Sequence, residues 1–205
     1  MNQIVIHQLS KKYKNQTVLK DINVSFQSGY VYGIVGLNGS GKSELIKQIV
    51  GLESPTEGFV AFSNEDMKLG IVIDGASLFL QLSAFENLKF LAGVNGKFNE
   101  EAVKNALKRV FISADDKRKL KKYSMGMRKR VVLAQAIMDE PDALILDEPT
   151  NALDEKGILI FYDIIKEYKK NGKLVILTSH YKQDIEQLCD VVYTMKEGIL
   201  CEEEL

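Results

Sequence analysis

A run of eight residues at positions 36–43, Gly-Leu-Asn-Gly-Ser-Gly-Lys-Ser, has the residue types and spacing best suited to a chemical task. It fits the pattern Gly-x-x-x-x-Gly-Lys-Ser, whose glycines let backbone N–H groups converge on a phosphate because no Cβ stands in the way. Lys42 can reach the β- and γ-phosphates, and the Ser43 hydroxyl can ligate Mg²⁺. The run therefore predicts binding of a nucleoside triphosphate. The residues expected to hold it are Gly36, Asn38, Gly39, Ser40, Gly41, Lys42 and Ser43.

Two adjacent carboxylates form the second candidate. Asp147 and Glu148 directly follow the apolar run 143–146, which is typical of a strand in a parallel sheet covered on both faces. A strand ending there can place Asp147 on Mg²⁺, directly or through water, and Glu148 where it can accept a proton from an attacking water. The phosphate-binding run alone leaves kinase, GTPase and transport ATPase open; the two acids favour triphosphate hydrolysis.

Flanking segments have the patterns needed to position these residues. The apolar run 31–35 predicts a buried strand entering the phosphate loop, and residues 44–50 predict the helix leaving it. A phosphate at that helix N-terminus would be stabilised by unpaired N–H groups and by the helix dipole.

Composition limits the class of protein. The chain has 205 residues, 45% hydrophobic and 27% charged, which is enough for a sizeable core in one globular unit. A formal net charge of -1 gives no reason to expect nucleic acid as a partner. No apolar stretch approaches the roughly 18 residues of a membrane span, and no signal-peptide pattern opens the chain, so an intracellular protein is expected. Cys189 and Cys201 fit no metal-ligand spacing and are expected to be reduced.

Hydrophobic patterns along the chain predict an α/β architecture. Residues 3–9 and 17–26 alternate apolar with polar, as half-solvated antiparallel strands do. From 84 to about 120 the period becomes helical, which predicts a helical subdomain, and strand–helix alternation resumes from 143. We expect a P-loop NTPase core with a mainly parallel sheet, an N-terminal antiparallel β-layer and an inserted α-helical subdomain.

Further short motifs, in this order and spacing, make the chain resemble the ATP-binding cassette (ABC) family over essentially its whole length. Tyr13 lies upstream of the phosphate loop, where the family stacks an aromatic ring on adenine. The segment 123–128 stands where the family has its Leu-Ser-Gly-Gly-Gln signature, and 151–154 stands where it has its D-loop. Thr-Ser-His at 178–180 matches the position of the family's switch histidine. The resemblance implies one ABC domain over 1–205, with a helical subdomain at about 75–138 inserted in a RecA-like core.

The resemblance also implies a mechanism. Two such domains would close head to tail around two ATP molecules, each held by the phosphate loop of one subunit and by Ser124 and Gly126 of the other, with Asp154 in the adjoining D-loop. Ser124 also suits a helix N-cap, which is compatible with that role. His180 is expected to contact the γ-phosphate and to order Glu148, the candidate general base.

Two positions depart from the family pattern. The signature reads Tyr-Ser-Met-Gly-Met, so only Ser124 and Gly126 carry over. Asp74 stands where the family has a glutamine that touches Mg²⁺ or the attacking water, and we expect it to approach the metal. Both departures resemble the subgroup that serves peptide-antibiotic export and bacteriocin immunity.

The expected cofactors are ATP and Mg²⁺. The expected partners are a transmembrane permease subunit on another chain and a second ATP-binding subunit, in a homodimer, at the inner face of the cell membrane. The basic runs 117–122 and 128–130 are interpreted as a solvated helical surface near ATP or the membrane face rather than as a nucleic-acid site. Two alternatives stay open: a soluble ABC ATPase that acts on a macromolecular assembly, and a P-loop kinase, against which the signature, D-loop and Thr-Ser-His motifs argue.

Overall fold

A computed structural model describes residues 2–73, 78–94 and 98–203. Within these ranges the chain forms two β-sheets and a set of α-helices. The strands are β1 (Gln3–Tyr13), β2 (Gln16–Gln27), β3 (Val31–Val35), β4 (Glu57–Phe62), β5 (Leu69–Val72), β6 (Ala143–Leu146), β7 (Leu174–Thr178), β8 (Val191–Lys196) and β9 (Ile199–Glu203). The helices are α1 (Lys42–Ile49), α2 (Ala84–Val94), α3 (Glu100–Arg109), α4 (Met125–Ile137), α5 (Glu155–Lys170) and α6 (Lys182–Leu188).

The larger sheet has the strand order β5-β6-β7-β3-β8-β9, and its strands are parallel except for the β8–β9 pair. Strands β6 and β7 consist of buried residues throughout, as continuous apolar runs in a sheet covered on both faces should. Because parallel strands end at the same edge, the residues that follow β3, β6 and β7 meet there. These are the phosphate loop, the Asp147–Glu148 pair and the Ser179–His180 pair.

The smaller sheet is antiparallel, in the order β2-β1-β4, as the alternating patterns predict. Its apolar face packs on α1, whose Leu45, Ile46 and Ile49 share a buried cluster with Phe26. Strand β1 extends to Tyr13, beyond the end predicted at residue 9. The pairing register shifts after Ile6, where Gln8 has a φ of 46°, so the alternation used for the prediction breaks there.

Helices α2, α3 and α4 lie between β5 and β6 in the chain and share a buried apolar cluster with the larger sheet. Ser83 and Glu86 form a reciprocal capping pair at the start of α2. The Ser83 backbone N–H donates to Glu86 Oε2 at 2.8 Å, and the Glu86 N–H donates to Ser83 Oγ at 3.2 Å. Arg130 reaches from α4 to the end of α3, where its Nη1 donates to the Val110 carbonyl oxygen at 3.2 Å. None of the helices within the described ranges has the length and apolar composition to cross a lipid bilayer.

Candidate active site

A cavity of about 410 Å³ opens at the edge of the larger sheet where β3, β6 and β7 end. It brings together residues that lie more than a hundred positions apart in the chain. Its lining residues are Val18, Asn38, Gly39, Gly41, Lys42, Ser43, Glu44, Lys129, Asp147, Glu148, Asn151 and His180. Most of the predicted phosphate-loop residues, both predicted acids and the predicted histidine therefore share one cavity.

The phosphate loop needs glycine at particular points. Gly39 has a φ of 79° and Gly41 a φ of 114°, in the left-handed region that residues with a Cβ rarely adopt. At Gly36 a Cβ would lie only 2.3 Å from the Met195 carbonyl oxygen, so the loop could not follow its present path with a larger residue. The loop leads into α1, whose N-cap is Gly41, a residue with no side chain to cap the helix. The first N–H groups of α1 are therefore suited to an anion that would serve as their cap.

Lys42 places a buried ammonium group at this helix start. Its side chain is 6% exposed, and its Nζ donates to the Gly36 carbonyl oxygen at 2.8 Å. The same Nζ lies 3.6 Å from Glu148 Oε1. Ser40, within the loop, has a buried hydroxyl with no hydrogen-bond partner among the described residues. A cation, an uncapped helix start and an unpaired hydroxyl in one loop fit a phosphate chain.

Thr178 orients the two acids that follow β6. Its Oγ1 donates to Asp147 Oδ1 at 2.6 Å and accepts from the Glu148 backbone N–H at 2.9 Å. Asp147 is 3% exposed, and its own N–H donates to the Val72 carbonyl oxygen at 2.7 Å. Glu148 has a φ of 46°, a strained conformation for a residue with a side chain. Both carboxylates line the cavity, and Asp147 is the more deeply buried of the two.

The Glu148 carboxylate lies between two nitrogen groups. Its Oε2 is 2.6 Å from His180 Nδ1, while its Oε1 faces Lys42. The His180 side chain is 43% exposed and ends at the cavity wall. A carboxylate held by two nitrogen groups beside a phosphate-binding loop can accept a proton from a water molecule in the cavity.

Ser43 and Asp147 supply a hydroxyl and a carboxylate oxygen to the same cavity, the ligand types that Mg²⁺ prefers. No group of three or more His, Cys, Asp or Glu residues within the described ranges could hold a metal by itself. The donors present therefore fit a cation that takes its other ligands from nucleotide phosphates and water, as Mg²⁺ commonly does. Asp74, the third predicted metal contact, lies outside the described residues.

Tyr13 stands next to the cavity rather than in its wall. Its hydroxyl lies within hydrogen-bond distance of two carboxylates, Glu44 Oε1 at 2.7 Å and Glu53, and its single proton is shared between them; Glu44 itself lines the cavity. The hydrogen bond to Glu53 is the main cause that raises the pKa of Tyr13, so the phenol stays protonated. The ring is 42% exposed, with the Lys11 ammonium 4.9 Å from its centroid.

Ser124, Gly126 and Asp154 lie outside this cavity and close to one another. Ser124 Oγ accepts from the Met127 N–H at 3.1 Å and so caps α4, as predicted, and Asp154 Oδ1 accepts from the Gly157 N–H at 2.9 Å and caps α5. A Cβ on Gly126 would lie 3.4 Å from the Asp154 backbone nitrogen, so the signature segment packs on the D-loop. Ser124 and Asp154 are both exposed.

Lys129, Asn151, Val18 and Glu44 line the cavity without having been predicted as site residues. Asn151 had a usable signal, since it follows the Asp147–Glu148 pair by only a few positions. Lys129 lies in the basic run 128–130, whose charge is compatible with a place near ATP or at the membrane face, and the packing of α4 brings it to the cavity.

Residues 19–151 match the family model described as ABC transporter. The chain belongs to the ABC transporter family. It is 40% identical over 205 residues to the uncharacterized ABC transporter ATP-binding protein YybJ of Bacillus subtilis, a match that covers 96% of this chain and 94% of that protein. It is 36% identical to the lantibiotic transport ATP-binding protein SrtF of Streptococcus pyogenes, over 97% of this chain and 90% of that protein.

A solved structure of the family has the same fold. The dimeric post-hydrolysis state of the ATP-binding cassette MJ0796, bound to ADP and Pi, superposes with a TM-score of 0.86 at 26% identity and 98% coverage of both chains. The fold class and the ABC family resemblance, both predicted from the sequence, are confirmed. The protein is an ABC ATPase, the ATP-binding and ATP-hydrolysing subunit of a transporter.

Proposed function

We propose that ATP is hydrolysed in the 410 Å³ cavity with Glu148 as general base. The observation that carries this proposal is the position of the Glu148 carboxylate, between Lys42 and His180 and beside the phosphate loop. Glu148 accepts a proton from the water whose oxygen attacks the γ-phosphorus, and the bond to the β,γ-bridging oxygen breaks. Lys42 and the N–H groups at the start of α1 stabilise the charge on the phosphate oxygens. His180 orders Glu148 through its Nδ1 and contacts the γ-phosphate.

The remaining loop residues bind the triphosphate. Asn38, Gly39 and Gly41 line the cavity and offer backbone N–H groups, while Gly36 and Ser40 shape the loop behind them. Ser43 and Asp147 would hold Mg²⁺, and Asp74 is included as a further contact on its sequence position alone. Bound there, Mg²⁺ would neutralise charge on the phosphate oxygens. Tyr13 stacks on the adenine ring, with its hydroxyl anchored by Glu44 and Glu53.

We propose further that two copies of the chain form the active ATPase. Ser124, Gly126 and Asp154 lie outside the chain's own cavity, and Ser124 is exposed at the start of α4. There a hydroxyl and helix N–H groups can meet the γ-phosphate bound by another copy. The dimeric form of MJ0796 supports this arrangement. The helical subdomain at about 75–138 carries Ser124 and Gly126, and Asp154 follows it in the core.

The transport role extends from the relatives. We propose that the chain powers export of a lantibiotic-like peptide through a permease on a separate chain, at the inner face of the membrane, as the name of SrtF suggests. The test compares lantibiotic tolerance and export in cells carrying the wild-type chain, no chain, or Lys42→Ala. We expect that the strain without the chain and the Lys42→Ala strain both lose lantibiotic tolerance and export. Unchanged tolerance and export, together with co-sedimentation of the chain with ribosomes, would favour the macromolecular-assembly alternative.

A further inference from the structure

Asp184 is a buried carboxylate whose three described side-chain partners are hydroxyl groups. It lies on α6 and is 3% exposed. Its Oδ2 accepts from Thr150 Oγ1 at 2.6 Å and from Ser179 Oγ at 2.8 Å, and its Oδ1 accepts from the Tyr162 hydroxyl at 2.7 Å. Burying a carboxylate is costly unless it is well hydrogen-bonded, so these three donors are needed to keep Asp184 in place.

These donors belong to the segments that carry the proposed catalytic groups. Thr150 stands two residues after Glu148 and directly before Asn151, which lines the nucleotide cavity. Ser179 directly precedes His180. A single carboxylate therefore ties together the two backbones between which the Glu148–His180 contact is made.

Tyr162 fixes the carboxylate from the other side. It lies on α5 and is itself buried. Burial and the hydrogen bond to Asp184 both raise the pKa of Tyr162, so the phenol remains a donor. Tyr162 thereby anchors Asp184 to a helix that packs in the core. The hydrogen bonds of Asp184 to Ser179 and Thr150 then restrict the positions of those two residues.

Ser179 is fully buried, and two hydrogen bonds besides the one to Asp184 involve it. Its Oγ also accepts from the Tyr181 N–H at 3.0 Å, and its own N–H makes a long bond of 3.3 Å to the Ile34 carbonyl oxygen. His180 beyond it is 43% exposed, so packing restrains the imidazole only in part.

We propose that Asp184 is a positioning residue for ATP hydrolysis, which acts through Ser179 to hold His180 against Glu148. The proposal rests on the roles given to Glu148 and His180 under Proposed function. A displacement of about 1 Å in a catalytic group can lower a rate by about 10²-fold, so a device that fixes this contact affects turnover strongly. Asp184 is not among the described residues that line the nucleotide cavity, so ATP affinity is expected to stay unchanged.

The test uses Asp184→Asn in the purified full chain. The amide keeps the shape but offers only one acceptor oxygen, so the oxygen shared by Thr150 and Ser179 or the one facing Tyr162 is lost. We expect kcat to fall about tenfold, with KM for ATP within about twofold of wild type. Asp142→Asn is the matched control: Asp142 accepts from the Lys68 N–H at 3.1 Å and from Lys173 Nζ at 3.2 Å, before the amino end of β6. That variant should lower thermal stability and leave kcat unchanged.

A double-mutant cycle separates positioning from general destabilisation. In a His180→Ala background, Asp184→Asn should lower kcat by less than about twofold further, because its route of action is already removed. A full tenfold loss in that background, or wild-type kcat in the single variant, would overturn the proposal. If His180→Ala alone had wild-type turnover, the proposed role of His180 would fail instead.

Ser179→Ala provides a second variant should Asp184→Asn not fold. It removes the hydroxyl that links Asp184 to the residue before His180, together with the bond that this hydroxyl accepts from the Tyr181 N–H. It should lower kcat in the same direction, again without further loss in the His180→Ala background. Wild-type kcat in Ser179→Ala would overturn the proposed route.

Discussion

Replacing Glu148 by glutamine tests the centre of the proposed mechanism. The glutamine side chain is isosteric with the native one and can still accept from His180 Nδ1, across the contact that measures 2.6 Å in the native protein. The amide cannot take a proton from water. The substitution therefore removes basicity while it leaves the arrangement of Thr178, Asp147 and His180 intact.

The size of the effect follows from that separation. General-base catalysis contributes about 10²- to 10⁴-fold, which corresponds to about 2.7–5.4 kcal/mol of barrier. The affinity for ATP should increase or stay the same, although turnover falls. In the native protein Lys42 faces Glu148 across 3.6 Å, a gross attraction of about 5 kcal/mol at an effective dielectric constant of about 20, most of which desolvation offsets. Without the Glu148 charge, Lys42 is free to pair with the phosphates of ATP. The negative charge that repels those phosphates is also removed.

The assay measures steady-state ATPase, equilibrium ATP binding, and size-exclusion chromatography with ATP. We expect turnover at least 100-fold below wild type, ATP binding equal or tighter, and accumulation of an ATP-bound dimer, because hydrolysis normally reopens it. Glu167→Gln is the control. It removes the charge of an exposed glutamate that pairs with Arg109 at 2.8 Å, and it should leave all three readouts unchanged. Turnover within a few-fold of wild type for Glu148→Gln would refute the general-base role.

Three further predictions concern assembly, the metal and the thiols. Turnover per molecule should rise with protein concentration, and Ser124→Arg should abolish that rise while ATP affinity stays the same. Ser113 is another exposed serine that accepts a backbone N–H bond, and the control variant Ser113→Arg should keep the rise. Asp74→Ala should change the Mg²⁺ dependence of hydrolysis, and Asp74→Gln should be tolerated better; an unchanged Mg²⁺ dependence would remove Asp74 from the metal site. Burial raises the pKa of Cys189 to about 12, whereas Cys201 is exposed, so a thiol reagent at pH 8 should modify one thiol quickly, and Cys201→Ser should abolish that phase. Two fast thiols would contradict the burial of Cys189.

Local chemistry determined much of what the sequence predicted. The Gly-Lys-Ser run, the apolar strand before Asp147 and the Thr-Ser-His segment have patterns whose meaning depends on a few neighbouring residues. The strand and helix periods also depend on neighbouring residues, which is why helix α5 (Glu155–Lys170) falls within the strand–helix alternation predicted from residue 143 onward. Where the local pattern broke, at the register shift after Ile6, the predicted strand ended too early.

The strand order of the sheet decided which of these residues meet. Parallel pairing of β3 with β7, and of β7 with β6, brings Lys42, Glu148 and His180 to one edge of the sheet. This strand order cannot be predicted from the residue pattern of any single segment. The same packing placed Lys129 in the cavity and left Ser124, Gly126 and Asp154 outside it. The same packing places Asp184, on the short helix α6, where it accepts hydrogen bonds from three hydroxyl groups in three segments of the chain. Residue types and spacing determine which reaction the chain can perform. Long-range packing determines which groups lie within hydrogen-bond or ion-pair distance of each other, because those contacts join residues far apart in sequence.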